Sequence, residues 1–322
     1  MAKIKSFKVE NLAAVESGKD VEIEYLGSLL WMTISNKVTV STEDLEKELE
    51  QMGLAQYKPR RINPRDAFRR ATRDVEVKRE KHGEGTYVNL LVRPVRSTEG
   101  NMVRQLVREV VDGKNTRLEY KPVLQFEIKD GDHYSVTSLV PDLYPPEKQA
   151  MENVGTLYNE AINNYEGDHI RRLIDRILNA CSPISVRPSG GVHFVPHKHA
   201  NEMEALKKLV KNLAAYDRGT GTTRAWSVPV IDAQEHREMV EESLEMQVMS
   251  GSVKMIEDMK NALKDKGQEI QPSTIKEYAY QIKKMKNLVG EYEESLEYQA
   301  TKARENLELA QQLAMKLMEK AE

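Results

Sequence analysis

Three histidines, His193, His197 and His199, fall within seven residues of one another in a chain that holds seven in all. Three imidazoles at that density could fill three of zinc's four tetrahedral positions and leave the fourth to water, the centre of a metal-dependent hydrolase. Pro196 breaks the strand between them, and neither Cys-x-x-Cys nor His-Glu-x-x-His accompanies them, so exposed rings at a hairpin end explain the same residues. Glu76-Val-Lys78, Glu119-Tyr-Lys121 and Glu127-Ile-Lys129 repeat the Glu-x-Lys pair that holds metal and water in restriction-like nucleases. In a chain with 51 acidic residues and 48 Lys and Arg, alternating charge on a wet strand face accounts for each of them. There is no Walker A loop and no Gly-x-Ser-x-Gly elbow. The single cysteine, Cys181, follows an apolar helix as a small buried side chain would. No catalytic residue, no cofactor and no metal is expected.

Arginine offers different chemistry. The segment 58–81 holds ten Lys and Arg against Asp66, Asp74, Glu76 and Glu80. Asn63-Pro64 opens a short helix there, with proline at its first position. Arg65, Arg69 and Arg73 recur at i, i+4 and i+8 on one face, Arg70 widens the stripe, and Phe68 and Ala71 suit the opposite side. The net charge of the whole chain is only −3, so attraction for a polyanion or an acidic partner must come from such a local patch. A solvated face neutralised by acids elsewhere in the fold is the alternative. A second set sits at 147–195, where two helices are followed by a β-hairpin, the order found in a winged-helix module. The second helix carries Arg171, Arg172 and Arg176, and the hairpin tip carries Arg187. Those arginines suit phosphates or guanine edges, or they are solvated and paired with Asp168 and Asp175.

The elements that must position these residues read as α+β. A weak strand at 3–9 is followed by a strand signal through 29–40, and Ser41 opens a helix that Gly53 closes. His82-Gly-Glu-Gly85 turns a β-hairpin. The stretch 102–111 fits a helix face or a strand, and a meander with turns at Asp112-Gly113 and Asp130-Gly131 follows. Asp168 is the expected N-cap of the second of the two helices, and Gly190 and Gly191 suit positive φ at the hairpin tip. The expected divisions are 1–140, mostly β with a basic helix; 141–231, the helix-helix-hairpin segment; and 232–322, a helical hairpin or coiled coil.

In that last part a helix over about 234–264 is expected to turn at 266–273 and return as one rod from Thr274 to about 320, roughly 70 Å long. Its apolar positions Tyr278, Ile282, Met285, Val289, Tyr292 and Leu296 alternate steps of four and three, the seam of a coiled coil. Such a seam must dock, within the chain or on a partner.

The segment Val186-Arg-Pro-Ser-Gly-Gly-Val-His-Phe-Val-Pro196 is similar to one in an uncharacterised family carried by phages, plasmids and prokaryotic genomes. The family has no assigned activity, so the resemblance implies a mobile-element or host-conflict setting and no catalytic residues. The start of the sequence lacks a signal-peptide core, and no stretch approaches the roughly 18 apolar residues that span a bilayer. A cytoplasmic, non-enzymatic binding protein is therefore expected: an adaptor, inhibitor or accessory factor. Its helical arms would grip a protein partner or a second copy, and its arginines would face an acidic surface, with DNA binding as the alternative.

Overall fold

The computed structural model describes residues 24–129, 133–187, 189–219, 221–264 and 271–321. The expected strand at 3–9, the Asp130-Gly131 turn and most of the 266–273 turn lie outside the described residues. Along the chain come β1 (Tyr25–Thr33), β2 (Thr39–Ser41), α1 (Thr42–Gln51), α2 (Pro64–Arg73), β3 (Val77–Gly83) and β4 (Thr86–Ser97). Then follow β5 (Asn101–Asp112), β6 (Arg117–Lys129), β7 (His133–Ser138), α3 (Pro145–Asn163), β8 (Asn164–Glu166) and α4 (Gly167–Asn179). The remainder is β9 (Ile184–Ser185), β10 (His193–Pro196), α5 (Ala200–Leu213), β11 (Arg224–Ile231), α6 (Gln234–Lys264), α7 (Pro272–Leu296) and α8 (Thr301–Ala321). The fold is α+β with antiparallel sheets.

The chain divides into two compact units, each assembled from separated segments. The sheet unit takes 32–181 and 201–226; the helical unit takes 24–31, 182–200 and 227–321. The helix pair of the segment 141–231 thus belongs to one unit and its hairpin to the other.

In the sheet unit, β3 to β7 form a five-stranded antiparallel meander in sequence order. Register shifts in three of its ladders mark bulges, which bend strands and let the sheet curl into a half-barrel. The ambiguous stretch 102–111 is the central strand. Met102, Leu106 and Val110 are buried on one face and Val103, Val107 and Val111 on the other. A strand apolar on both faces mimics helical spacing, because the period of two is hidden. The inner face packs Leu90, Leu106, Leu124 and Phe126 against Phe68 and Ala71 of α2 and Val154 and Tyr158 of α3. Local caps hold as expected: Ser41 Oγ accepts from the Asp44 N–H and Asn63 Oδ1 from the Arg65 N–H. The cap of α4 differs. Its N-cap is Glu166, whose own N–H donates to His169 Nδ1 (3.3 Å), and Asp168 lies inside the first turn. The link between α3 and α4 is the short strand β8, tied to β2. Glycine is needed at 167 because a Cβ there would lie 2.5 Å from the Ser35 carbonyl oxygen.

In the helical unit the strand order is β11-β1-β10-β9. Gly190 and Gly191 have φ of +74° and +86°, the left-handed backbone anticipated for the β9–β10 turn. Leu26, Ile184 and Phe194 of this sheet share a core with Val240, Leu244 and Val248 of α6 and Val289, Tyr292 and Leu296 of α7. Helix α6 runs through Gly251 without a break. The single returning rod is corrected. The second helix starts at Pro272 with Gln271 as N-cap, which leaves Thr274 in its interior, and it stops at Leu296. Glu297 turns left-handed (φ 54°), Arg237 caps the Leu296 carbonyl (2.7 Å), and Glu293 receives the Ala300 N–H (2.9 Å). The reversal is driven by burial. Ala303, Leu307, Ala310, Leu313, Ala314 and Leu317 form a second apolar stripe, and folding back packs it into the cores that α6 and α7 share. The tail is three helices among the described residues.

Candidate basic surface

Helix α2 places Arg65, Arg69 and Arg73 outward, as the spacing predicts. Arg65 donates to the Glu99 carbonyl and to Ser97 Oγ, both at 3.0 Å. Arg69 pairs with Asp66 at 2.6 Å, and Arg73 lies 3.9 Å from Asp74. Arg70 is a correction: its side chain is only 12% exposed and does not widen the stripe. It donates to the Ala161 carbonyl and sits 2.8 Å from Glu166, because the flank of α2 that carries it faces α3 and the start of α4.

That inward turn joins the two basic segments. Through the Arg70–Glu166 bridge, α2 and the start of α4 share a cluster of titratable groups on which Arg70, Arg73 and Arg172 act. His169 is held below its ordinary value, first by burial, then by Arg70 and, less strongly, by Arg172. Asp74 is pushed up by burial, against the pull of Arg73 and Arg70. Tyr165 stacks edge-on against His169 at 5.7 Å and is pushed up by burial, with Arg61 near enough to oppose the shift. Tyr165 also donates to the Arg60 carbonyl (3.2 Å) and Arg176 to the Tyr57 carbonyl, so 57–61 lies along α4. Arg104 on β5 completes the α2 side. It donates to the Arg69 carbonyl (2.7 Å) and to Thr72 Oγ1 (2.5 Å), and its guanidinium is pulled below its ordinary value by burial and by Arg69.

The α4 arginines divide by role. Arg171 is anchored on the Ile34 carbonyl (2.9 Å) and on Asp168; Arg172 is exposed. Arg187 is exposed on the β9–β10 hairpin of the helical unit, whereas the other seven expected arginines belong to the sheet unit. Arg61 was one of the ten cations of 58–81 in the sequence, whereas Arg104 was not singled out. For Arg104 the missing signal was its register on β5, which could not be read while 102–111 was undecided.

The heptad seam goes inward. Ile282, Val289, Tyr292 and Leu296 are buried, and Tyr278 and Met285 pack against the same cores. The six seam residues are spent on helices of their own chain, so the seam is not a free docking face. The histidines diverge. His193 lies on β10 opposite Ser185 and Leu30, and the ring of His197 stacks on Tyr25 (centroids 6.5 Å). His199 Nε2 meets Glu291 at 3.0 Å, where Lys198 and Ser182 also converge. The short helical turn at 197–199 after Pro196 sends the rings to different partners. Among the described residues no group of three or more His, Cys, Asp or Glu can hold a metal ion. The Glu-x-Lys carboxylates go to separate partners: Glu76 accepts from the Val92 N–H (2.8 Å), Glu127 from Asn101 (2.8 Å), and Glu119 lies 3.8 Å from Arg108.

One buried charge pair was not foreseen. Arg108 of β5 meets Glu147 of α3 through two hydrogen bonds of 2.6 Å, with Glu147 fully buried. The guanidinium lies 3.5 Å from the Tyr144 ring centroid, and His82 stacks on Tyr144 at 4.6 Å.

Fold and surface together define an α+β protein of two compact units, one of which carries arginines on both α2 and α4. The chain belongs to a family of unknown function, DUF6744, whose profile matches residues 25–322. No curated protein and no solved structure matches it. No helix among the described residues is long and apolar enough to cross a membrane.

Proposed function

We propose that this chain is a binding protein whose joined α2–α4 face takes an acidic partner, as an adaptor, inhibitor or accessory factor in a mobile-element or host-conflict setting. The observation that carries this is the Arg70–Glu166 bridge, which ties α2 to the start of α4, where Arg172 acts on His169, Arg73 on Asp74 and Arg61 on Tyr165. Bringing like charges together costs energy that an anionic partner recovers. The heptad seam has no part in it. The test is calorimetric titration with poly-glutamate at rising salt, comparing wild type with Arg61→Glu/Arg73→Glu/Arg172→Glu. Wild type binds at low salt, and the triple variant weakens by about tenfold or more. Equal binding by both would refute the role of this face.

A second reading is duplex DNA binding through α4, the second helix of the helix-helix-hairpin segment, favoured by its exposed Arg172 and Arg176. There the logarithm of affinity falls linearly with the logarithm of salt, and removing one phosphate contact lowers the slope by about 1. No duplex binding at low salt leaves the acidic protein partner.

A further inference from the structure

The outer face of the five-stranded sheet carries a second, separate set of arginines. Residues directly opposite in a ladder share a face. Tyr87, Asn89 and Arg93 of β4 oppose Val111, Glu109 and Gln105 of β5. Those in turn oppose Arg117, Tyr120 and Gln125 of β6. These rows are on the side away from the core that includes Val88, Leu90 and Leu106. On this face arginine and tyrosine come in stacked pairs. The Arg79 guanidinium lies 4.7 Å from the Tyr87 ring centroid and the Arg117 guanidinium 4.6 Å from that of Tyr120. Each pair is fixed. Arg79 Nη1 donates to Asn115 (2.9 Å), Arg117 donates to Glu109 (2.8 Å), and Arg93 reaches the Tyr120 hydroxyl (3.4 Å).

Arg79 also sits in the left-handed region (φ 54°), at the bulge between Val77 and Glu80, with its N–H held by Asn89 (2.8 Å). A non-glycine residue there costs of order 1 kcal/mol or more. Here the bulge aims the side chain over Tyr87. In these rows Glu109 is the one carboxylate beside Arg93 and Arg117, and it is already bonded to Asn89 and Arg117.

We propose that this face binds single-stranded nucleic acid. A guanidinium backed by a ring offers its other flat side to a base and its edge N–H groups to phosphate. Tyr87 and Tyr120 lie two strands apart, about 10 Å across the sheet. Bases in a duplex rise only about 3.4 Å per step. Two stacking positions this far apart suit a splayed strand whose bases have left one another. Duplex DNA keeps its base faces covered, and an acidic peptide has none to stack.

The experiment is fluorescence anisotropy of labelled oligo-dT and oligo-U, each about 20 nucleotides long, with a duplex of the same length and poly-glutamate as competitors. Oligo-dT and oligo-U separate DNA from RNA as the natural source. We expect single strands to bind at low salt and to outcompete duplex and poly-glutamate. Tyr120→Ala removes the ring that holds the Arg117 plane and is expected to weaken binding about fivefold or more, the lower end for one base stack. Arg117→Lys keeps the charge and loses the plane, so it too weakens binding several-fold, a readout that does not depend on removing a ring. Lys254→Glu, an exposed residue of α6 outside both proposed faces, leaves single-strand binding within about twofold. The proposal is overturned if wild type ignores single strands at low salt, if poly-glutamate or duplex competes equally, or if both Tyr120→Ala and Arg117→Lys bind as wild type.

Discussion

Replacing Glu147 by Gln breaks a buried charge pair while keeping its shape. Glu147 is fully buried and Arg108 is 5% exposed; their two hydrogen bonds measure 2.6 Å each. Glu147 Oε2 also accepts the Tyr144 N–H (2.9 Å) at the start of α3. The amide keeps one acceptor oxygen and leaves the guanidinium buried without a counter-charge, apart from Glu119 at 3.8 Å. Removing one partner of such a pair costs about 3–5 kcal/mol. Glu119 and the Tyr144 ring soften that, so a loss of about 3 kcal/mol is expected. For a unit of some 150–250 residues this lowers Tm by about 6–12 °C. Arg108→Met/Glu147→Leu removes both charges and fills the space, and it should melt within a few degrees of wild type, because the desolvation cost goes with the pair. The assay is thermal and urea unfolding of the full chain, wild type, both singles and the double, read as a double-mutant cycle. A Glu147→Gln protein that melts within about 2 °C of wild type, or a double variant as damaged as the sum of the singles, would refute the reasoning.

Two further outcomes follow from particular contacts. Gly167→Ala should destabilise by about 1–3 kcal/mol in urea unfolding, because its Cβ would lie 2.5 Å from Ser35 O and 2.9 Å from Asn36 Cα; a stabilised protein would show the space to be open. His169 accepts the Glu166 N–H on Nδ1, and burial with Arg70 holds it below its ordinary 6.5. The unfolded chain therefore binds the extra proton first. His169's contribution to stability is full above 6.5 and is lost as pH falls toward the folded value. His169→Gln, which can still cap, should flatten that part of the pH profile, and an unchanged profile would count against it.

Much of the backbone was legible because its causes are local. Asn63-Pro64 predicted the start of α2, Gly190-Gly191 the positive φ of the hairpin tip, and the bounds 234–264 are those of α6. In each case the cap, turn or periodic stripe lies within a few residues of what it determines. The strand at 102–111 was not legible, since only its pairing on both sides explains why both faces are apolar.

By itself the sequence determined an α+β chain, with basic stripes at 58–81 and 171–176 and an apolar seam from Tyr278 to Leu296. Tertiary structure alone decided what those features face. Arg70 bonds to Ala161, 91 residues away, and the seam is buried under a helix that begins after the reversal at Glu297. The physical reason is the same in each case. A side chain's direction and partner are chosen by burial and pairing between segments far apart in the chain, and periodicity names a face without naming what covers it.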